Sequence, residues 1–376
     1  MRQKSKGIIG LIVCVVVFST LKMGAQELKW WNPQASPVNA IEGQAWQGET
    51  EAFYDRLPLR AKESVRDEVW ARSKYSSGLC IRFKSNSPHI KIEYKVSERL
   101  SMPTMPTTGV SGVDLYAVTK NGEHLWCRPA TTFSATGITF SYAGIKPTDD
   151  YYEEGIEFRL YLPLYNTVTS LQIGVYEDKI FMPLSPRREK PIVVYGTSIT
   201  QGGCASRPGM TWATTVSRHL NIPLINLGFS GNGRLEPEVI RLINEIDARL
   251  YILDCLPNLT SDKTYDNKTL RKLILNAVSD IRAQHPDTPI ILTEHDGYSS
   301  GTTQPRYKGY YVRVNDVMNK AFSEMKKNGV KNIHLLKYSD INQSPEGKVD
   351  GTHPTDLGMM QIATAYEKLI KEVLKK

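Results

Sequence analysis

Near residue 185 the hydrophobic pattern of this chain changes period, and that change limits what the chain can fold into. From Gly78 to Tyr176 apolar residues recur at every second position: Ile90, Ile92, Tyr94 and Val96, then Val113, Leu115 and Ala117, then Leu171, Ile173 and Val175. Alternation places one face of each strand on a core. Asn121-Gly122 lies between two such runs and predicts a tight hairpin turn, because both residues accept positive φ. Segment 101–109, rich in Pro and Thr, predicts an irregular loop. This half therefore reads as an antiparallel β-sandwich. Beyond a linker at Pro183–Lys190, where Pro and charges cluster, short apolar runs begin at Ile192, Leu224, Leu250, Ile290 and Ile333. Between them apolar residues take helical spacing, as in Trp212, Val216 and Leu220; Leu235, Val239, Leu242 and Ile246; Leu270, Ile274, Ala277 and Ile281; and Tyr310, Val314, Val317 and Ala321. A last helix is expected from about Pro354 towards Leu374. Strand alternating with helix predicts a three-layer α/β/α domain on a parallel five-stranded sheet. Functional residues of such sheets sit beyond the carboxyl ends of the strands.

The two ends of the pattern frame three expected segments. Arg2, Lys4 and Lys6 precede an apolar run from Ile8 to Leu21 that closes on Gly24 and Ala25, the order of a cleaved secretory signal. The run is shorter than the roughly 20 residues that span a bilayer. The expectation is a signal peptide over 1–25, a β-sandwich domain over 26–185 and an α/β domain over 186–376, with a secreted or periplasmic product and no stable membrane insertion after cleavage. The formal charge is +8, and residues 1–25 hold four of the bases and no acid. The remaining bases are dispersed among acids, which argues against a nucleic-acid surface. Cys80, Cys127, Cys204 and Cys255 remain after signal removal. They lack the paired spacing of a zinc site, and in a chain with a full-sized core they read as small buried thiols, although one or two bridges are open to them.

Each chemically suggestive segment follows one of the predicted parallel strands. Ser198 follows the first, in Val194-Tyr195-Gly196-Thr197-Ser198-Ile199-Thr200. A Ser at a strand–helix turn is ordinarily an N-cap; it becomes a nucleophile only if a base reaches it. Thr200 also breaks the G-x-S-x-G pattern of an α/β-hydrolase elbow. Far downstream, Asp350-Gly351-Thr352-His353-Pro354 puts a carboxylate three residues before an imidazole, where it can hold Nδ1–H and leave Nε2 free to take a serine proton. After the second strand comes Asn226-Leu227-Gly228-Phe229-Ser230-Gly231-Asn232-Gly233, whose glycine N–H groups can approach an oxyanion, and after the third comes Asp254-Cys255-Leu256-Pro257-Asn258, whose Asn can add a side-chain donor. Glu294, His295 and Asp296 follow the fourth strand, but neighbouring residues of a strand point to opposite faces, so they read as a solvated loop and not as metal ligands. Arg207 and Arg234, in loops beside the nucleophile and the oxyanion block, read as surface charges, with recognition of a carboxylate or a sugar as the alternative.

Taken together, these four blocks resemble the SGNH hydrolases, the GDSL-like lipase/acylhydrolase family. The resemblance implies a flavodoxin-like α/β/α fold and ester hydrolysis through an acyl-serine, with no metal or organic cofactor. Ser198 matches the nucleophile and one oxyanion donor, Gly231 the second donor with Gly228 as its rival, Asn258 the third, and His353 and Asp350 the base and its partner. The first block reads Gly-Thr-Ser-Ile where the family has Gly-Asp-Ser-Leu, and the third reads Leu-Pro-Asn where Gly-x-Asn-Asp is common. Gly112-Val113-Asp114-Leu115-Tyr116 is similar to the G-x-D-L-Y signature of a small β domain ahead of some bacterial SGNH hydrolases, with Asp114 expected to satisfy nearby backbone. Export and a β-sandwich beside the site favour an acetylated glycan as substrate over a lipid or thioester; a glycan-binding protein without activity is the third reading. Oligomeric state is not legible.

Overall fold

A computed structural model describes residues 26–134, 136–146 and 153–375. The expected signal peptide lies outside them. The period-two half forms two antiparallel sheets packed face to face. One runs, in spatial order, Leu28–Trp31, Val168–Tyr176, His89–Val96, Gly137–Ala143, Ala130–Ser134; the other runs Phe181–Pro183, Cys80–Ser85, Ile156–Tyr161, Asp114–Val118, His124–Trp126, with Ile41–Glu42 added on Cys80–Ser85. Ile90, Ile92, Tyr94, Leu171, Ile173 and Val175 all enter the core between the sheets, as their alternation requires. The strand Asp114–Val118 departs from that rule. Asp114 and Tyr116, on its supposedly wet face, are buried as well, because the α/β half covers that side. Asn121-Gly122 does join two paired strands, but only Gly122 takes positive φ (+83°). Its N–H closes on the Thr119 carbonyl, so the connection is a four-residue turn ending in a left-handed glycine and not a two-residue hairpin loop.

The second half carries strands β1 (Ile192–Gly196), β2 (Leu224–Gly228), β3 (Leu250–Asp254), β4 (Ile290–Thr293) and β5 (Ile333–Leu336), all parallel in the order β2-β1-β3-β4-β5. Helices α1 (Trp212–Leu220), α2 (Pro237–Ile243), α3 (Asn267–Gln284), α4 (Pro305–Lys327) and α5 (Asp356–Leu374) cover it. Successive strand residues alternate between two cores. Val194 and Ile252 pack with α1 and α5, where Trp212 stacks on Tyr366 at 4.2 Å, whereas Val193 and Leu253 pack with α2, α3 and α4. Both faces of the sheet are therefore dry, which is why its strands read as unbroken apolar runs. Tyr310 is the exception on its predicted helix face: it stands 41% exposed near the start of α4.

Packing crosses the linker. Trp46, Leu57, Ala61, Val65 and Val69 from the first half share a core with Tyr195, Leu227 and Phe229. Within the linker, Arg187 pairs with Glu42 at 2.5 Å and donates to the Asn221 carbonyl at 3.0 Å. All four described cysteines are free thiols; burial pushes Cys80 up to about 12 and Cys255 well above its usual range. Among the described residues no helix is long and apolar enough to cross a membrane.

Candidate active site

The carboxyl ends of β1, β2 and β3 bring the first three blocks together. At the end of β1 the chain turns into a short helix, Ser198–Gln201. The cap of that helix is Thr197, whose Oγ1 accepts the Ile199 N–H at 3.3 Å, so Ser198 is released from the capping role a serine usually takes here. Gly196 permits the turn: a Cβ on it would stand 2.0 Å from Thr200 Oγ1. Ser198 Oγ lies 2.9 Å from His353 Nε2, and His353 Nδ1 lies 2.7 Å from Asp350 Oδ2. The other carboxylate oxygen of Asp350 accepts the backbone N–H groups of Thr352 (3.0 Å) and His353 (2.8 Å). Burial works against ionisation of Asp350, but the His353 backbone and ring together with Thr352 outweigh it and hold the carboxyl below its usual range. An ionised Asp350 demands a proton on Nδ1, which leaves Nε2 as the acceptor for Ser198 O–H.

The oxyanion candidates separate cleanly. Gly228 N–H is spent on Asn226 Oδ1 at 2.8 Å, which removes it as a rival. Gly231, at φ +73°, is exposed, and its N–H meets no acceptor among the described residues. Asn258 Oδ1 accepts the Gly233 N–H at 3.0 Å, so the amide is oriented with its NH2 turned away from that bond and free to donate elsewhere. Ser198, Gly231 and Asn258 thus come from the ends of three adjacent strands, with His353 and Asp350 arriving from the turn before α5.

Several supporting residues escaped the sequence. Arg56, from the first half, is fully buried and donates to both Asn226 O (3.0 Å) and Gly228 O (2.9 Å), pinning the end of β2; burial brings its pKa down to about 9. Tyr165 donates to Ser198 O at 3.2 Å, and Gln201 links Leu164 O (3.0 Å) to the Ser230 N–H (2.9 Å). No local pattern marks these side chains, because their partners are remote in sequence.

Two expectations need correction. Glu294, His295 and Asp296 are buried, not solvated. β4 ends at Thr293, so strand alternation no longer applies, and the segment turns under Asn315 and Asn319 of α4 and under Lys348. His295 Nδ1 accepts the Gly297 N–H at 2.9 Å; that bond needs its lone pair, so the 3.5 Å approach of Asp296 is no ion pair. Asp296 pairs instead with Lys348 at 2.8 Å. Arg207 is not a loose surface charge: it pairs with Asp114 at 2.5 Å and lies over the Trp126 ring at 4.7 Å, while Asp114 also accepts the Gly209 N–H. Arg234 does lie at the surface, where it donates to Gly231 O at 3.1 Å.

Comparison with known proteins decides the family. Residues 189–371 match the profile of the GDSL-like lipase/acylhydrolase family, and residues 28–181 match that of the N-terminus of SGNH hydrolase-type esterases, the G-x-D-L-Y domain. A putative GDSL-like lipase from Bacteroides ovatus is 30% identical, with 93% of this chain and 98% of that one covered and a TM-score of 0.82. The chain belongs to the GDSL-like lipase/acylhydrolase family. As a member it is an ester hydrolase. The salicylyl-acyltransferase SsfX3 of a tetracycline biosynthetic pathway shares the fold at 19% identity (92% and 97% covered, TM-score 0.74). So does a carbohydrate esterase family 2 enzyme with a carbohydrate-binding domain from Corynascus thermopiles, at 17% identity (80% and 95% covered, TM-score 0.56). The curated proteins include no match.

Proposed function

We propose that this GDSL-like hydrolase is an exported esterase that removes O-acetyl groups from carbohydrate. The observation that carries the reading is the relay Ser198 Oγ–His353 Nε2 at 2.9 Å and His353 Nδ1–Asp350 Oδ2 at 2.7 Å. In this reading Ser198 Oγ attacks the ester carbonyl carbon while His353 Nε2 takes its proton. The oxyanion that forms is met by the N–H groups of Ser198 and Gly231 and by the Asn258 amide. Collapse breaks the bond to the sugar oxygen, which receives the proton held by His353. Water, deprotonated by the same imidazole, then releases acetate from Ser198 and restores the enzyme. No step requires a metal or organic cofactor.

The turn after the nucleophile helix is closely packed against the relay: a Cβ on Gly203 would stand 2.8 Å from Tyr165 Oη and 3.2 Å from His353 Cδ2. Carbohydrate esterases are among the proteins that share this fold. The test is acetate release from a panel of acetylated plant and host glycans, with a chain-length series of p-nitrophenyl esters alongside. Acetate released from a glycan, with acetyl preferred over octanoyl, is the expected result. A clear preference for octanoyl or longer esters would replace this reading by a lipid-directed one.

A further inference from the structure

We infer that the cavity walled by Tyr298, Tyr311 and Tyr338 is a sugar-binding subsite, holding a residue of the glycan next to the one that carries the ester at Ser198. This rests on the carbohydrate reading and makes it more specific. The cavity has a volume of about 400 Å³ and is flanked by the loops after β4 and β5, within the range of small-ligand pockets. Its wall is continuous. Tyr298 and Tyr311 have ring centroids 6.3 Å apart, and Tyr311 and Tyr338 stack at 5.4 Å. Beneath them the buried His295 ring lies 4.6 Å from Tyr298 and 5.9 Å from Tyr311. Tyr338 is 42% exposed, and contiguous aromatic surface left open to water marks a binding face. Its position is built in: Gly297 takes φ +79°, and a Cβ there would stand 2.6 Å from the Tyr338 ring.

The lining selects the chemistry. A pyranose presents an apolar C–H face, which suits the electron-rich face of an aromatic ring, and a rim of hydroxyls. Ser299, Ser344 and Lys308 line the same cavity and supply partners for that rim. An acyl chain placed there would desolvate those polar groups without pairing them. Its location is suitable too. The Ser299 N–H donates to Gly351 O at 3.0 Å, one residue from Asp350 of the relay.

The test compares wild type with Tyr338→Ala and Tyr338→Trp on singly acetylated oligosaccharides of increasing length, on an acetylated monosaccharide and on p-nitrophenyl acetate. In wild type kcat/KM should rise with length. Tyr338→Ala should lower the ratio of kcat/KM on the longer oligosaccharides to that on p-nitrophenyl acetate by roughly 5- to 10-fold, and Tyr338→Trp should restore it. A ratio unchanged by Tyr338→Ala, or no gain with length in wild type, overturns the subsite while leaving the esterase reading standing if the monosaccharide ester is cleaved. Hydrolysis of p-nitrophenyl acetate with no acetylated sugar accepted overturns both.

Discussion

Replacing Lys348 by Met should cost both stability and turnover, and the two losses should separate. Lys348 Nζ meets Asp296 Oδ2 at 2.8 Å and also donates to Gly297 O, with the two side chains only 3% and 7% exposed. Burial opposes the charge on Asp296, yet Lys348 above all holds its carboxyl down at about 2. Lys348→Met strands that carboxylate in a dry site, which costs about 3–5 kcal/mol. At roughly 2–4 °C per kcal/mol for a unit of 150–250 residues, Tm should fall by about 6–20 °C. The sign with pH follows from the depressed value. The stabilisation is complete above the unfolded carboxyl pKa of about 4 and disappears as pH falls through about 2, so the Tm gap should narrow in acid. Lys348 also begins the segment that presents the relay: it bridges to Pro354, Val349 N–H bonds His353 O at 2.9 Å, and Asp350 lies two residues on. A shift of about 1 Å at His353 can cost on the order of 100-fold in kcat. The double variant Asp296→Asn/Lys348→Met removes the stranded charge and should regain most of the Tm, but not the kcat. Calorimetry and p-nitrophenyl acetate kinetics well below Tm measure the two effects. A single variant with wild-type kcat would show that the backbone bonds of the loop suffice, and would refute the positioning argument.

Ser198→Ala should remove about a million-fold of kcat with the fold intact; near wild-type turnover in a contaminant-free preparation would sink the nucleophile assignment. Asn258→Ala should lower kcat by roughly 100- to 1000-fold with little change in KM, since an oxyanion donor acts on charge that develops in the transition state; a loss confined to KM would make Asn258 a substrate-binding group instead. Asp254→Asn should raise Tm at about pH 8 and change it little near pH 4. Burial, reinforced by Asp296, lifts the Asp254 carboxyl to about 7, so the folded state loses stability as pH climbs from the unfolded value towards 7, while the amide can keep the 3.2 Å bond to Thr200 without the charge. A lower Tm for the variant at pH 8 would show that the buried carboxylate is well satisfied.

The parts of the site that could be read from sequence are those whose chemistry is local. Asp350 and His353 share one turn, so their spacing alone places the carboxylate on the ring. The order of the strand ends, each followed by its block, locates Ser198, Gly231 and Asn258. What could not be read was set by distant packing. Glu294, His295 and Asp296 look like a wet loop until α4 and Lys348 are laid over them. Arg207 looks solvated until Asp114 and Trp126 arrive from the sandwich. Ser198 reads as a possible cap until Thr197, its neighbour, takes the bond.

The same reasoning bears on why two domains of such different period are joined. The sandwich contributes groups to the site's frame. Arg56 ties off the carbonyls of Asn226 and Gly228, Tyr165 bonds the carbonyl of Ser198, and the carbonyl of Leu164 orients Gln201, which in turn holds the Ser230 N–H beside Gly231. A buried guanidinium is costly unless its donors are satisfied, and Arg56 meets that condition only with β2 in place. The folding of the first half is thereby coupled to the position of the oxyanion loop. Variation at this seam should act on kcat although no seam residue is a member of the relay, and the α/β half alone, with Leu227 and Phe229 stripped of Trp46, Leu57 and Val69, would expose apolar core.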